Sequence, residues 1–339
     1  MSDNAFQINV LPAGRGDCIH LRFYSQDKWY NIVIDSGPSG KKGNKHGFAN
    51  LMRKFGQDGE LYGEEVDLLC FTHVDEDHID AAECFFGNEA SIGAQKYVKQ
   101  VWMNVPEYEM VNLTPLKPSR IEPLTAGKAV TLCQYLMWHK IPVYYSIPQG
   151  VRLQFGDVRI HTVLPTPDLL ADYKQWWVKE RKNTTGTELL GAEKKDTNKA
   201  NGSSIALMIF AFGKKMLFCG DAYRDYLRTV AEQWAGNGFD LVKLPHHGSI
   251  YNIGEEMLQA MKCRNFIIST DGKNGRPAQD TIKLLGEYGK TCGGVTVYGN
   301  YEWDHIVKWN YIKECDSLKI VVLDKKPITV EEIIDIRTE

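Results

Sequence analysis

Nine residues, Phe71-Thr72-His73-Val74-Asp75-Glu76-Asp77-His78-Ile79, constrain this chain more than any other stretch. His73, Asp75, Asp77 and His78 fall within six positions, directly after the apolar run Val66-Asp67-Leu68-Leu69-Cys70. Such a run reads as a buried strand. A buried strand that ends in nitrogen and oxygen donors and runs into a helix presents metal ligands at the C-terminal edge of a sheet. His73, Asp75 and Asp77 alternate along the turn and can converge on one side. His78 is expected to start the helix that carries Ala81, Ala82, Phe85 and Phe86.

An acidic, solvated loop holding two histidines by chance would have no partners downstream. Here there are two. Gly220-Asp221 follows Met216-Leu217-Phe218-Cys219, and Pro245-His246-His247-Gly248-Ser249 follows Phe239-Asp240-Leu241-Val242-Lys243-Leu244. Three strand ends therefore deliver His, Asp and His to one locus. Mixed N/O donors with an open position are what a catalytic zinc or manganese centre requires.

These three motifs resemble those of the metallo-β-lactamase superfamily, and most closely the branch that includes the hydrolase domain of the bacterial competence protein ComEC. Gly14-Arg15-Gly16-Asp17-Cys18, Ile34-Asp35-Ser36-Gly37 and Ile268-Ser269-Thr270 with Asn274-Gly275-Arg276-Pro277 fit the same branch. The resemblance spans roughly residues 6–285. It implies two divalent ions, zinc or manganese. His73 and Asp75 would hold the first, Asp77 and His78 the second, and Asp221 would bridge them, with Asp77 and Asp221 the carboxylates nearest the chemistry. One of His246 and His247 would complete the second site, since strand alternation disfavours both facing the ions. Two ions sharing a bridging carboxylate lower the pKa of a water and stabilise the developing oxyanion. Asp35, from a neighbouring strand end, is a candidate to orient a ligating histidine. An Asp before Ser-Gly is also ordinary turn chemistry.

Two departures from the commonest superfamily pattern stand out. Asp75 occupies a position where that pattern has histidine. No histidine lies between His161 and His246, so the extra ligand usually found ahead of Gly-Asp is missing, and Asn198 and Asn201 occupy that region. A carboxylate in place of an imidazole makes the first site harder and favours manganese there.

Strand-like runs at Phe6–Leu11, Cys18–Tyr24 and Trp29–Asp35 are followed by alternating helical and strand patterns up to a closing strand at Leu318–Leu323. Asn104–Pro123 reads as a long loop, and residues 166–203 as a polar insertion with an embedded Trp176-Trp177. With no linker or repeat, residues 1–339 read as one hydrolase domain, an αββα sandwich of two mixed sheets flanked by helices.

Apolar content of 43% and charged content of 24% are ordinary for a globular protein. No run of about 18 apolar residues suggests a membrane span, and the first residues carry no signal-peptide pattern. The eight cysteines are scattered without CxxC pairs, so free thiols and a cytoplasmic setting are expected. The net charge of −3 excludes a global basic footprint for coating nucleic acid. Local basic clusters remain: Lys41, Lys42, Lys45 and His46, then Lys179, Arg181, Lys182, Lys194, Lys195 and Lys199. Arg276 suits bidentate phosphate recognition, with Asn274 beside it on the same loop. His20, His139, His161 and His305 read as structural.

By resemblance, the function is a metal-dependent hydrolase of phosphodiesters, a phosphodiesterase or nuclease acting on a nucleotide or nucleic acid. The alternatives are a non-catalytic, metal-braced nucleotide sensor, a subunit of a larger complex such as a phage-defence system, or a hydrolase of another ester class. A partner protein or a second copy of the chain fits any of these. Fold alone does not fix the substrate.

Overall fold

The computed structural model describes residues 6–39, 47–111, 113–118, 127–182, 196–329 and 332. The first sheet takes β1 (Phe6–Val10), β2 (Ile19–Ser25), β3 (Lys28–Ile34), β4 (Val66–Phe71), β5 (Val101–Met103) and β6 (Val143–Tyr145). The second takes β7 (Arg152–Phe155), β8 (Val158–Leu164), β9 (Ala206–Ala211), β10 (Lys214–Phe218), β11 (Leu241–Lys243), β12 (Asn265–Ile268), β13 (Val295–Gly299) and β14 (Leu318–Val322). The last strand, β15 (Ile328–Thr329), returns to the first sheet and pairs antiparallel with β1. The orders are β15-β1-β2-β3-β4-β5-β6 and β14-β13-β12-β11-β10-β9-β8-β7. Both sheets are mixed. β3 to β6 run parallel in one and β10 to β14 in the other, with antiparallel hairpins on the remaining sides.

Three apolar layers explain the stacking. The inner layer joins the sheets through Phe6, Ile8, Leu21, Leu68 and Cys70 on one side and Ile160, Leu207, Phe218 and Ile267 on the other. One outer layer packs Leu69 and Phe71 against helices Gly47–Phe55, Glu76–Phe86 and Lys128–Trp138. The other packs Leu217, Val242 and Phe266 against helices Arg224–Trp234, Glu255–Met261 and Gln279–Cys292. β4 is buried at every position because both of its faces are covered. Alternate side chains go to opposite layers, Leu68 and Cys70 inward, Leu69 and Phe71 outward. Truncating a buried Phe such as Phe218 to Ala would cost about 3–5 kcal/mol. The expected αββα sandwich is therefore what forms.

Local expectations needed correction. The motif helix starts at Glu76 with Asp75 as its N-cap residue, so His78 lies inside the first turn instead of opening it. β5 and β6 have three residues each, too short to leave a pattern, and β15 has two. The strand at Leu318–Val322 is an edge of the second sheet, not the closing element. The loop expected over Asn104–Pro123 contains a short helix, Glu107–Val111. In the polar insertion, helix Pro167–Lys182 packs Trp177 into the first outer layer, its indole donating to Glu109 at 3.2 Å. Residues 183–195 lie outside the described residues. Among the described residues no helix is long and apolar enough to cross a membrane.

Candidate metal centre

Strands β3, β4, β10, β11 and β12 end at one edge of the sandwich, and each is followed by a residue of the centre: Asp35, His73, Asp221, His246 and Ser269. Two glycines let these loops close on one another. Gly16 approaches the motif loop so tightly that a Cβ there would lie 1.8 Å from the Asp77 carbonyl oxygen, and the Asp17 amide donates to that oxygen at 3.3 Å. Gly220 has φ +54, and a Cβ would meet the Thr72 Cβ at 2.9 Å.

Four imidazoles point at one oxygen. The Nε2 atoms of His78, His246, His247 and His73 lie 3.5, 3.7, 3.7 and 4.0 Å from Asp221 Oδ2. His73 Nε2 is also 3.8 Å from Asp75 Oδ2, and the Nε2 atoms of His247 and His78 are 3.5 and 4.0 Å from the Asp77 carboxylate.

The opposite ring nitrogens fix the tautomers. His78 Nδ1 donates to Asp35 Oδ2 at 2.8 Å. His247 Nδ1 donates to the Ser269 carbonyl at 3.0 Å. His246 Nδ1 faces Asn252 Oδ1 at 2.8 Å and Asp196 Oδ2 at 3.1 Å, both acceptors. The Thr72 hydroxyl gives its proton to Asp35 at 2.8 Å and so accepts from His73 Nδ1 at 3.1 Å. Each ring in its neutral form therefore presents a bare Nε2 lone pair to the centre. Among the described residues, His73 Nε2, His78 Nε2, His247 Nε2 and Asp221 Oδ1 are buried without a hydrogen-bond partner. Bare lone pairs converging on a carboxylate repel one another unless a cation sits among them, so the donor set fits divalent metal.

Charge at the centre says the same. Burial pushes the His73, His78 and His247 imidazoles down, but at His247 the Asp221 and Asp17 carboxylates outweigh it and lift the ring to about 9. His78 is likewise raised well above its usual value by Asp221 and Asp35 against burial. His73 falls to about 3 through burial and the neighbouring His78 charge. Burial and repulsion from Asp77 raise Asp75 to about 6. Asp221 and Asp77 resist burial and stay well below the carboxylate range because His78 and His247 face them. Protons are drawn to where cations would otherwise balance the carboxylates.

Every residue expected to bind metal is thus gathered: His73, Asp75, Asp77, His78, Asp221, His246 and His247. The expectation that only one of the adjacent histidines faces the centre is overturned. They sit on a tight turn with φ 50 and 54, in the left-handed region and not on a strand, so alternation does not apply. Asp35 accepts from the Thr72 amide at 2.7 Å as well as from His78, which is more than a turn residue does. Asn198 and Asn201 act as donors to carboxylates: Asn198 to Asp75 at 3.1 Å and Asn201 to Asp196 at 2.7 Å.

The cleft above the centre holds about 660 Å³ and is lined by Arg15, Lys273 and Arg276 as well as Asp75, Asp77, Asp221 and His246. Among the described residues no hydrogen bond or ion pair engages the Arg276 guanidinium. Asn274 lies on the short turn Lys273–Gly275, and its side chain is outside the described set, as are Lys41, Lys42, Lys45, His46, Lys194, Lys195 and the side chains of Arg181 and Lys182. Lys199 pairs with Asp172 at 3.0 Å and does not line the cleft. His20, His139, His161 and His305 lie elsewhere, bonded or packed within the fold.

Sequence reasoning missed Asp17, Lys243, Asp196 and Asn252. Asp17 Oδ1 lies 3.2 Å from His247 Nδ1, and its other oxygen takes the Lys243 ammonium. Lys243 was legible as a charge between the apolar Leu241-Val242 and Leu244, a placement rare without a partner. Asp17 lies in the Gly14–Cys18 segment that fits the branch, where no local pattern marks it as a partner of Lys243.

No protein-family model matches the chain. Over 225 residues it is 24% identical to the ComE operon protein 3 of Bacillus subtilis (strain 168), covering 66% of this chain and 22% of that protein. The chain thus spans about a fifth of that relative's length. Solved structures that overlay include the metallo-β-lactamase fold protein YhfI from Bacillus subtilis, with TM-score 0.44, 9% identity and coverage of 94% of this chain and 96% of that one. Unliganded yeast PDE1 overlays with TM-score 0.43 and 12% identity, covering 94% and 97%. Likenesses this distant decide nothing about activity. Two mixed sheets packed face to face between helices, with this order of motifs at their strand ends, make the chain a metallo-β-lactamase-fold protein resembling the ComEC-like branch of that superfamily.

Proposed function

We propose that the chain is a metal-dependent hydrolase of phosphodiesters that holds two divalent ions. The observation that carries this is the convergence of four imidazole Nε2 atoms on Asp221 Oδ2, each with its Nδ1 side engaged. Asp221 would bridge. His78, His247 and Asp77 would hold one ion. His73 and Asp75, 3.8 Å apart, would hold the other together with His246, whose Nε2 lies 3.7 Å from the shared Asp221 oxygen. His246 would then supply the nitrogen that the region before Gly220-Asp221 lacks.

Ions held there would supply Lewis acidity and lower the pKa of a water. The chain does the rest. Asp35, Ser269 and the Asp196–Asn252 pair keep the ring protons on the far side of His78, His247 and His246, so that each Nε2 stays free. Arg276, with Lys273 and Arg15, places cationic donors around the cleft where a phosphodiester anion would be oriented. Among the described residues Arg15 is paired with Glu76 and Lys273 with Asp271, so Arg276 is the cleft cation left to favour an anionic phosphodiester.

The test is a substrate panel on metal-reconstituted protein. Bis(p-nitrophenyl) phosphate and short single strands should turn over faster than nitrocefin or an acyl thioester. Faster turnover of a thioester or β-lactam would remove the phosphodiester reading while leaving the metal centre in place.

A further inference from the structure

A second, smaller hollow opens beside the metal cleft. Its volume is about 180 Å³, and Tyr223, Tyr226 and Tyr251 line it with Arg224, Asp225 and Asp196. Three features set it apart from scattered surface aromatics. Tyr226 and Tyr251 are 37% and 52% exposed, a large apolar area to leave in water at one place. Tyr223 lies against Tyr226 with ring centroids 6.4 Å apart, and its hydroxyl donates to the Asn198 carbonyl at 2.7 Å, which fixes that ring. The hollow also adjoins the cleft, because Asp196 lines both. Asp196 is the residue that faces His246 Nδ1, so one side chain separates the aromatic hollow from a metal ligand.

We infer that this hollow is a nucleobase subsite, in which a base flanking the scissile phosphodiester stacks on Tyr226 and Tyr251. The inference rests on the phosphodiesterase reading and narrows its substrate to nucleotides. Aromatic side chains offer a face to any base. Arg224 adds a planar cation that stacks on π systems. Division of labour follows: Arg15, Lys273 and Arg276 in the cleft take the anionic backbone, and the tyrosines take the base.

The test compares two hydrolysis-resistant phosphorothioate strands on metal-loaded protein, one bearing bases and one abasic, at matched salt. The base-bearing strand should bind about tenfold tighter. Tyr226→Ala with Tyr251→Ala should erase that difference, and Tyr226→Phe with Tyr251→Phe should keep it, because stacking needs the ring and not the hydroxyl. A dinucleotide run alongside separates the two sources of a base: equal preference points to free nucleotides, and preference confined to the longer strand points to nucleic acid. Both support the subsite. Equal binding of the base-bearing and abasic strands overturns it, whatever the protein hydrolyses. Retained base preference in a protein that fails to turn over bis(p-nitrophenyl) phosphate supports the subsite and counts against the phosphodiesterase reading.

Discussion

The Lys243 ammonium is seated on the Asp17 carboxylate inside the fold, with side chains only 1% and 2% exposed. The pair sits under the metal centre. Lys243 Nζ also reaches the Gly220 carbonyl at 3.5 Å, next to Asp221, and Asp17 stands beside His247 Nδ1 at 3.2 Å. Burial pushes the Asp17 carboxyl up, but Lys243 and His247 hold it well below its usual range. Asp17→Asn leaves a buried lysine without its counter-charge, which should cost about 3–5 kcal/mol. It should also weaken the ion nearest His247 by about 10–100-fold, because it removes a buried negative charge 3.2 Å from that ring. Asp17→Asn combined with Lys243→Met should recover most of the stability and none of the metal affinity. Denaturant unfolding and metal titration separate the two effects, and recovery of both would show that the pair acts on packing alone.

The adjacent histidines should each account for one ion. His246→Ala and His247→Ala are expected to lower the bound metal from about two equivalents to about one, by elemental analysis of dialysed protein. If His246→Ala kept both, His246 would be a group that faces the cleft without binding metal.

Asp75→His should place a third imidazole around the ion that His73 and His246 hold. Softer donors favour zinc over manganese. Manganese should therefore rescue chelator-treated wild type better than the variant. Identical metal preference in both would mean that Asp75 does not shape the site.

How much of this centre was legible follows from where its residues lie. The motifs at His73–His78, Asp221 and His246-His247 stand out because each follows an apolar run long enough to read as a strand, and all seven expected ligands meet. The alternation argument failed at His246-His247 because backbone conformation at a strand's end is set by the turn, where two consecutive positive φ values turn both rings the same way. The supporting residues were harder to read. Asp17 and Asp196 reach their histidines from 230 and 50 residues away, and no local pattern encodes such a contact. The three-residue strands β5 and β6 were invisible for a related reason, since they are held by neighbours and not by their own periodicity.

Arg276→Ala should raise KM for a phosphodiester by about tenfold or more, with metal content unchanged, because it removes one charge-assisted contact. Steady-state kinetics beside metal analysis checks this. An unchanged KM would take Arg276 out of the binding surface.

Away from the centre, His20 should tie stability to pH. It is buried, with Nε2 bonded to Asn31 Oδ1 at 2.9 Å, and burial lowers it from 6.5 to about 4. The unfolded chain binds the extra proton between those values, so the stabilisation is present above about pH 6.5 and is lost as pH falls towards 4. Wild type should lose about 2 kcal/mol more than His20→Gln between pH 7 and pH 5, by denaturant unfolding at each pH. Parallel losses in the two proteins would contradict it.

The centre as a whole stands on Asp221, the carboxylate that four imidazoles share. Metal content and bis(p-nitrophenyl) phosphate turnover of Asp221→Ala, measured on the same preparation as wild type, test it most directly. The expected result is loss of at least one metal equivalent together with a fall in turnover of about a thousandfold or more. A variant that keeps both metals and full turnover would contradict the two-ion centre.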